Sequence, residues 1–216
     1  MRLFVYDHCP FCVRARVAFG MKKIPVELSV LLNDDEETPI SMIGKKACPI
    51  LQKPDGSFMG ESMDMVHYLD SLDGSPIFAP SANREDLTVW LKRVNLLFKK
   101  LLYPRWITSP IGEFKTQGAI DYFVNKKSKE LGSFDEALAN SDVLIKELED
   151  ELILLAPMLH SEKHASEQLS IDDTDLFGRL RAITLIKGLV IPDEVRAYIA
   201  YFSQVTGIPT FYDVAQ

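Results

Sequence analysis

Two cysteines, Cys9 and Cys12, enclose a Pro-Phe pair and are the residues of this chain whose type and spacing most directly suggest chemistry. Two thiols at this spacing suit either metal ligation or thiol–disulfide exchange. A structural zinc site needs four ligands, usually as two close pairs. The candidate second pair, His160 and His164, lies far along the chain and outside zinc-finger spacing. The pattern therefore favours redox exchange.

Cys9 lies between a predicted strand and a predicted helix, and Pro10 suits the first helical position, where no N–H is needed. Because free N–H groups and the helix dipole stabilise an anion there, we expect the pKa of Cys9 to be low, mainly through the helix N-terminus. Cys12, three residues later on the same helical face, should be more buried, less acidic and able to attack a mixed disulfide at Cys9. Arg14 and Arg16 are expected to be ordinary solvated charges.

The first 73 residues alternate strand and helix patterns. Strands are predicted at residues 2–6 and 26–30, a hairpin at 49–59, and helices at 10–20, 39–43 and 62–72. The resulting βαβ-ββα order predicts an α/β domain, a small mixed sheet with helices on its faces.

A turn-rich linker at residues 74–83 precedes a segment, 84–216, in which only helical periodicity is found. Helices are predicted at 87–102, 141–155, 176–189 and 194–204, so the second domain is expected to be all-α. Five prolines are expected to punctuate these helices: Pro104, Pro110, Pro157, Pro192 and Pro209.

Composition narrows the possible partners and compartment. The formal net charge of −7 provides no basic stripe for nucleic acid and little attraction to an anionic membrane, so neither partner is expected. Three cysteines in 216 residues are not a secreted disulfide scaffold, and the apolar run at residues 2–6 is too short for a signal peptide. A cytoplasmic location is expected.

Two further segments suit a peptide ligand near Cys9. The loop before the third strand should face the helix carrying Cys9, and a cis Cys48-Pro49 bond there would offer the backbone of residue 48 to an extended peptide. Glu61 and Ser62 head the next helix, with Ser62 expected at the N-cap, where free N–H groups suit a carboxylate.

These motifs resemble glutaredoxins joined to a glutathione-transferase-like helical domain, and most of the chain is similar to the bacterial glutaredoxin 2 family. The resemblance implies a thioredoxin-like N-terminal domain, a glutathione-transferase-like C-terminal domain, glutathione as co-substrate, no metal, and a monomer. It also implies that glutathione lies along Cys48 and Pro49. One glutathione carboxylate is then expected at Glu61 and Ser62, with Lys46 as a candidate for the other.

The function implied is a glutathione-dependent thiol–disulfide oxidoreductase, with Cys9 as nucleophile and Cys12 as resolving thiol. Its expected partners are protein–glutathione mixed disulfides and protein disulfides. The alternatives are a glutathione transferase, which could use the hydroxyl of Tyr6 (expected in the core as a strand residue), a non-catalytic binding module on the same fold, and iron–sulfur ligation by Cys9 and glutathione.

The sequence departs from the family pattern at two positions. Cys48 stands where an apolar residue or threonine is usual. It is expected either to pack as a small hydrophobe or to act as a third redox thiol that forms a disulfide with Cys9. In the helical domain, Ser170 and Asp173 fit a buried helix-capping motif, but Thr174 stands where an apolar residue is preferred.

Overall fold

The computed structural model describes residues 1–216, and its first part is an α/β unit with the predicted element order. The elements are β1 (Arg2–Val5), α1 (Pro10–Met21), β2 (Glu27–Val30), α2 (Glu37–Ile43), β3 (Ile50–Gln52), β4 (Phe58–Met59) and α3 (Ser62–Ser71).

The four strands form one mixed sheet in the order β2-β1-β3-β4. β1 pairs in parallel with β2 across the α1 crossover, and antiparallel with β3, where Phe4 lies opposite Ile50. Three successive β1 residues, Leu3, Phe4 and Val5, are buried, because α1 and α3 cover one face of the sheet and α2 packs on the other. The predicted βαβ-ββα order is confirmed.

The second part is all-α, as predicted. Its helices are α4 (Glu85–Trp106), α5 (Gln117–Leu131), α6 (Phe134–Ala139), α7 (Ser141–Leu155), α8 (Ile171–Ile183) and α9 (Asp193–Thr206), with 3-10 turns at Gly112–Phe114, Ala156–Met158 and Tyr212–Val214. The periodicity did not predict α5 and α6. The helix predicted at 176–189 begins earlier and ends at Ile183. No helix is long and apolar enough to cross a membrane.

One proline does not act as predicted, because Pro104 lies inside α4 instead of ending it. A proline in a helix loses one backbone hydrogen bond and crowds the preceding turn. Here the last turn is buried on both sides of the proline, at Tyr103 and Trp106, and the Arg105 guanidinium donates to the carbonyl oxygen of Leu101 at 2.8 Å. Tertiary packing and this side-chain donor carry the helix two residues further.

The capping motif predicted at the start of α8 is confirmed. Asp173 is fully buried and its carboxylate accepts from the backbone N–H groups of Ser170 (2.8 Å) and Ala165 (2.7 Å) and from the Tyr198 hydroxyl (2.9 Å). Thr174 is also buried, and its hydroxyl donates to the Ile171 carbonyl at 2.6 Å. The polar hydroxyl that Thr174 introduces is therefore hydrogen-bonded within its own helix.

The segment between α3 and α4 is tied to both parts of the chain. The Asp70 carboxylate accepts from the N–H groups of Ile77 and Phe78, while Ala79 pairs with the segment before α8 through Leu169 and Ile171. The domain bounds 1–73, 74–83 and 84–216 stay predictions.

Helix α1 is the central element, because it packs against α3 on one side and against α8 and α9 on the other. Two glycines allow this approach. A Cβ on Gly20 would lie 2.4 Å from the Thr206 carbonyl oxygen at the end of α9, and a Cβ on Gly178 of α8 would lie 2.8 Å from the Pro10 carbonyl oxygen. The two parts of the chain therefore meet backbone to backbone along the helix that carries the cysteines.

We predict that Gly20→Ala destabilises the protein. Alanine gains about 1 kcal/mol of helix propensity, but overpacking against backbone costs about 3 kcal/mol, so the net loss is about 2 kcal/mol. Thermal unfolding should show a midpoint lowered by about 5 °C. Gly118→Ala in α5 is the matched control, since its new Cβ meets only the movable Asp34 side chain. Equal midpoints for the two variants would contradict the prediction.

Candidate active site

Cys9 is the N-cap residue of α1, with extended backbone (φ −75°, ψ 119°), and Pro10 begins the helix. Cys9 is half-buried and Cys12 is fully buried. All three cysteines are free thiols. The predicted positions of Cys9 at the cap and of Cys12 beneath it are confirmed.

The pKa of the Cys9 thiol falls to about 6. The largest cause is the Cys12 thiol, which acts as a hydrogen-bond donor to the Cys9 thiolate; burial opposes the shift, and the charge of His8 adds to it. Hydrogen bonds from the backbone N–H groups of Cys12 and Phe11 lower the pKa further, each by a smaller amount. The largest single cause is therefore the Cys12 thiol, and neither N–H group of the helix N-terminus taken singly contributes as much as Cys12 or His8.

Cys12 has the opposite environment one turn away. Burial raises its pKa well above that of a free thiol, and the neighbouring Cys48 and Cys9 thiols raise it further. The backbone N–H of Tyr6 donates to the Cys12 sulfur at 3.4 Å. Cys12 therefore stays protonated as a donor while Cys9 ionises.

His8, immediately before Cys9, is held by a glutamate from the helical domain. Glu113 is fully buried, and its Oε1 lies 2.8 Å from the His8 backbone N and 2.6 Å from Nδ1. Burial alone would raise the pKa of Glu113, but the hydrogen bond and charge of His8 outweigh it and lower the pKa. The Glu113 carboxylate is therefore ionised and holds both the backbone and the ring of His8. Nothing near Glu113 in the sequence indicates this role.

Asp7 anchors the same loop to α8. Arg181 of α8 is 1% exposed and donates to the Asp7 carbonyl at 2.7 Å and to Oδ1 at 2.9 Å, and Arg16 donates to the same Oδ1 at 2.5 Å. Burial lowers the pKa of Arg181 to about 10. Arg16 is buried and Arg14 is ion-paired with Asp175, so the expectation that both arginines are solvated is wrong.

The Cys48-Pro49 bond is cis, as predicted, and lies directly before β3. Continuing the antiparallel β1–β3 register past Phe4 and Ile50 places Cys48 opposite Tyr6. The Cys48 side chain packs against the core and lies beside the Cys12 thiol and the Tyr6 phenol. The Tyr6 hydroxyl is buried without a hydrogen-bond partner, and burial, followed by the neighbouring thiols, raises its pKa.

The head of α3 differs slightly from the prediction, since Glu61 is the N-cap and Ser62 is the first helical residue. No side chain caps this turn. Ser62 is buried, and its hydroxyl accepts from the Arg14 guanidinium at 3.2 Å, which links the head of α3 to α1. Glu61 is exposed and pairs with Lys45 at 2.6 Å.

Lys46 is engaged away from α3. Its ammonium donates to the Asn33 carbonyl at 2.6 Å and lies 3.6 Å from the centre of the Tyr122 ring. Burial lowers the pKa of Lys46, although Glu36, 3.9 Å away, partly opposes this. Among the predicted site residues, the structure thus brings Cys9, Cys12 and Cys48 together, whereas the Lys46 ammonium is engaged by Asn33 and Tyr122.

A cavity of about 440 Å³ opens beside Cys9 on the side of the helical domain. Six of its 14 lining residues carry aromatic rings: His8, Phe11, Phe98, Tyr103, Trp106 and Phe123. The His8 ring lies 4.4 Å from the Trp106 ring, centre to centre. No group of three or more His, Cys, Asp or Glu side chains is arranged to hold a metal ion.

We predict that Glu113→Gln raises the pKa of Cys9 above about 6. The carboxylate that bonds to His8 is lost, so His8, whose charge lowers the pKa of Cys9, is no longer held beside the thiol. The rate of Cys9 alkylation against pH, in a Cys12→Ser, Cys48→Ser background for both proteins, should inflect at higher pH in the variant. Glu147→Gln, the same charge change on an exposed face of α7, is the control. An unchanged inflection in Glu113→Gln would contradict the assignment.

Comparison with known proteins agrees with this geometry along the whole chain. The family model "Glutathione S-transferase, N-terminal domain" matches residues 3–76, and "Glutaredoxin 2, C terminal domain" matches residues 86–215. A glutathione transferase from Phanerochaete chrysosporium superposes with a TM-score of 0.73 at 14% identity, covering 94% of this chain and 96% of its own, which shows a shared fold.

Two relatives are much closer. The crystal structure of glutaredoxin 2 from Salmonella typhimurium in complex with glutathione superposes with a TM-score of 0.96 at 45% identity, covering 100% of this chain and 98% of that one. Glutaredoxin 2 of Escherichia coli is 48% identical over 198 residues, which are 92% of each chain. With its C-terminal family model covering more than half of its length, the chain belongs to the glutaredoxin 2 family.

Proposed function

We propose that this protein is a glutathione-dependent thiol–disulfide oxidoreductase that reduces protein–glutathione mixed disulfides and protein disulfides. The observation that carries the proposal is the pair of opposed thiols at the head of α1. Cys9, with a pKa of about 6, is a thiolate at neutral pH, and the buried Cys12 beside it stays protonated. The nucleophile and the resolving thiol are thus distinguished by their environments.

The cycle begins when the Cys9 thiolate attacks the glutathione sulfur of a mixed disulfide and expels the reduced protein as a thiolate. The thiolate of a second glutathione then attacks the glutathione sulfur bound to Cys9 and releases Cys9 with oxidised glutathione. With a protein disulfide, the Cys9 thiolate bonds to one substrate sulfur and expels the other as a thiolate. Cys12 then loses its proton and attacks the Cys9 sulfur of this mixed disulfide, which releases the second substrate thiolate and closes the Cys9–Cys12 disulfide for glutathione to reduce.

Glutathione is proposed to lie along Cys48 and Pro49, with one carboxylate at the head of α3. The uncapped first turn of α3 offers free N–H groups, and Glu61 and Ser62 form its start. The Salmonella typhimurium relative was solved in complex with glutathione, which supports a glutathione site in this chain. Lys46 remains a weaker candidate for the second carboxylate, since its ammonium is already bonded to Asn33.

The transferase alternative has less support. A transferase of the tyrosine type needs a hydroxyl that can reach the glutathione sulfur, whereas the Tyr6 hydroxyl is buried beside Cys12 and Cys48 with a raised pKa. The binding-module alternative leaves the low pKa of Cys9 without a use.

Glutathionylated and disulfide-containing proteins in the cytoplasm are the proposed substrates, because three free thiols suit a reducing compartment. The monomer is a prediction that sedimentation velocity would check.

We predict that Cys9→Ser abolishes reduction of a glutathione mixed disulfide, because no other thiolate occupies the helix cap. Cys12→Ser should retain that reaction and lose efficient reduction of protein disulfides, since the resolving thiol is gone. A coupled assay with glutathione and glutathione reductase measures the first reaction, and insulin reduction the second. Substantial mixed-disulfide activity in Cys9→Ser would rule out Cys9 as the nucleophile.

We also predict that Ser62→Ala raises the KM for glutathione about tenfold, the equivalent of one hydrogen bond to a charged group. The kcat should change little, because Ser62 is not proposed to touch the reacting sulfurs. Ser71→Ala at the other end of α3, where the hydroxyl donates only to the Tyr68 carbonyl, is the control. A KM equal to that of the control would place the carboxylate elsewhere.

A further inference from the structure

A third thiol lies next to the proposed redox pair. Cys48 is opposite Tyr6 in the extended β1–β3 register, and the Tyr6 backbone N–H donates to the Cys12 sulfur at 3.4 Å. The Cys48 side chain lies beside the Cys12 thiol. Cys12 thus has a neighbouring thiol on each side, Cys9 in its own helical turn and Cys48 in the loop before β3, and the proposed cycle uses only Cys9.

We propose that Cys48 is a second resolving thiol whose partner is Cys12. It attacks the Cys12 sulfur of the Cys9–Cys12 disulfide, forms a Cys12–Cys48 disulfide and releases Cys9 as a free thiolate. This inference rests on the proposed function, which supplies the Cys9–Cys12 disulfide.

The step balances as an ordinary thiol–disulfide exchange. One S–S bond breaks between Cys9 and Cys12, and one forms between Cys12 and Cys48. The proton of the Cys48 thiol passes to solvent, and the electron pair of the broken bond leaves on Cys9. Cys48 is oxidised and Cys9 is reduced, so no external oxidant is needed.

The environments of the sulfurs favour this direction of attack. A thiol of low pKa is the better leaving group, so expulsion of Cys9 is easier than expulsion of the buried Cys12. An external thiol cannot reach Cys12, which is 0% exposed, whereas Cys48 is already beside it. Cys48 lies in the loop between α2 and β3, outside any helix or strand.

The product is a different working form of the protein. With Cys12 bonded to Cys48, Cys9 is the one remaining thiol. It can still exchange with glutathione mixed disulfides, but it has no resolving partner for protein disulfides. The exchange would therefore convert a two-thiol oxidoreductase into a one-thiol oxidoreductase under oxidising conditions. The Cys48–Cys9 disulfide considered in the sequence analysis stays a separate prediction, in which Cys12 and not Cys9 would be the remaining free thiol.

The test is a timed alkylation of the oxidised protein. Wild type is pulsed with oxidised glutathione, desalted, incubated without reductant, and quenched with N-ethylmaleimide at successive times before tryptic mapping. We expect Cys9 to become alkylatable again while peptide 3–14 becomes cross-linked to peptide 47–84, at a rate independent of protein concentration. In Cys48→Ala, Cys9 should stay in its disulfide with Cys12.

Three other outcomes would each contradict a different part of the proposal. If Cys9–Cys12 forms and Cys48 is recovered only as an alkylated free thiol, the inference is wrong and the proposed function stands. If oxidised glutathione leaves Cys9 unmodified, the proposed function itself fails. If Cys9→Ser forms the Cys12–Cys48 bond as fast as wild type, the exchange route through Cys9 is wrong.

Discussion

The loop of residues 6–8 is held by charges that the helical domain supplies, and the position of Cys9 depends on them. Arg181 from α8 bonds to Asp7, and Glu113 from the turn before α5 bonds to His8. Arg181, His8 and Glu113 are buried and Asp7 is partly buried, and breaking a buried pair by removing one partner costs about 3–5 kcal/mol. The helix cap that carries the reactive thiol is therefore fixed from outside its own domain, which explains why the two parts of the chain work as one unit.

The same arrangement shifts the pKa values of two chemically identical side chains in opposite directions. Cys9 and Cys12 are three residues apart in one helix, yet one pKa is lowered and the other raised. The cap position leaves Cys9 half-buried beside His8 and within reach of a donor, while the next turn places Cys12 against β1 in the core. Burial of Cys12 has two effects at once: it keeps the proton on Cys12, and that proton then stabilises the thiolate of Cys9.

The local sequence pattern was sufficient to predict the features that depend on residues close together in the sequence. Alternation and turn residues predicted the strands and α1, and Pro10 after Cys9 predicted the cap. What failed depends on distant contacts. Arg16 was expected in solvent, but its partner Asp7 lies across a loop, and Pro104 was expected to end a helix that tertiary packing prolongs. Glu113 carries no local signal at all, because its role exists only where a 3-10 turn of the helical domain meets residue 8.

Position 48 shows how one register serves two purposes. The antiparallel pairing of β1 with β3 fixes the backbone before Pro49, and the Cys48 side chain packs against the cluster of Phe4 and Ile50 while lying beside the Cys12 thiol and the Tyr6 phenol. An apolar residue or a threonine there can only fill space. A cysteine fills a similar space, since a thiol packs as a small hydrophobe, and so it can be accepted without a change of fold. It nevertheless places a third sulfur near the pair, so at this position the redox chemistry can change while the packing does not.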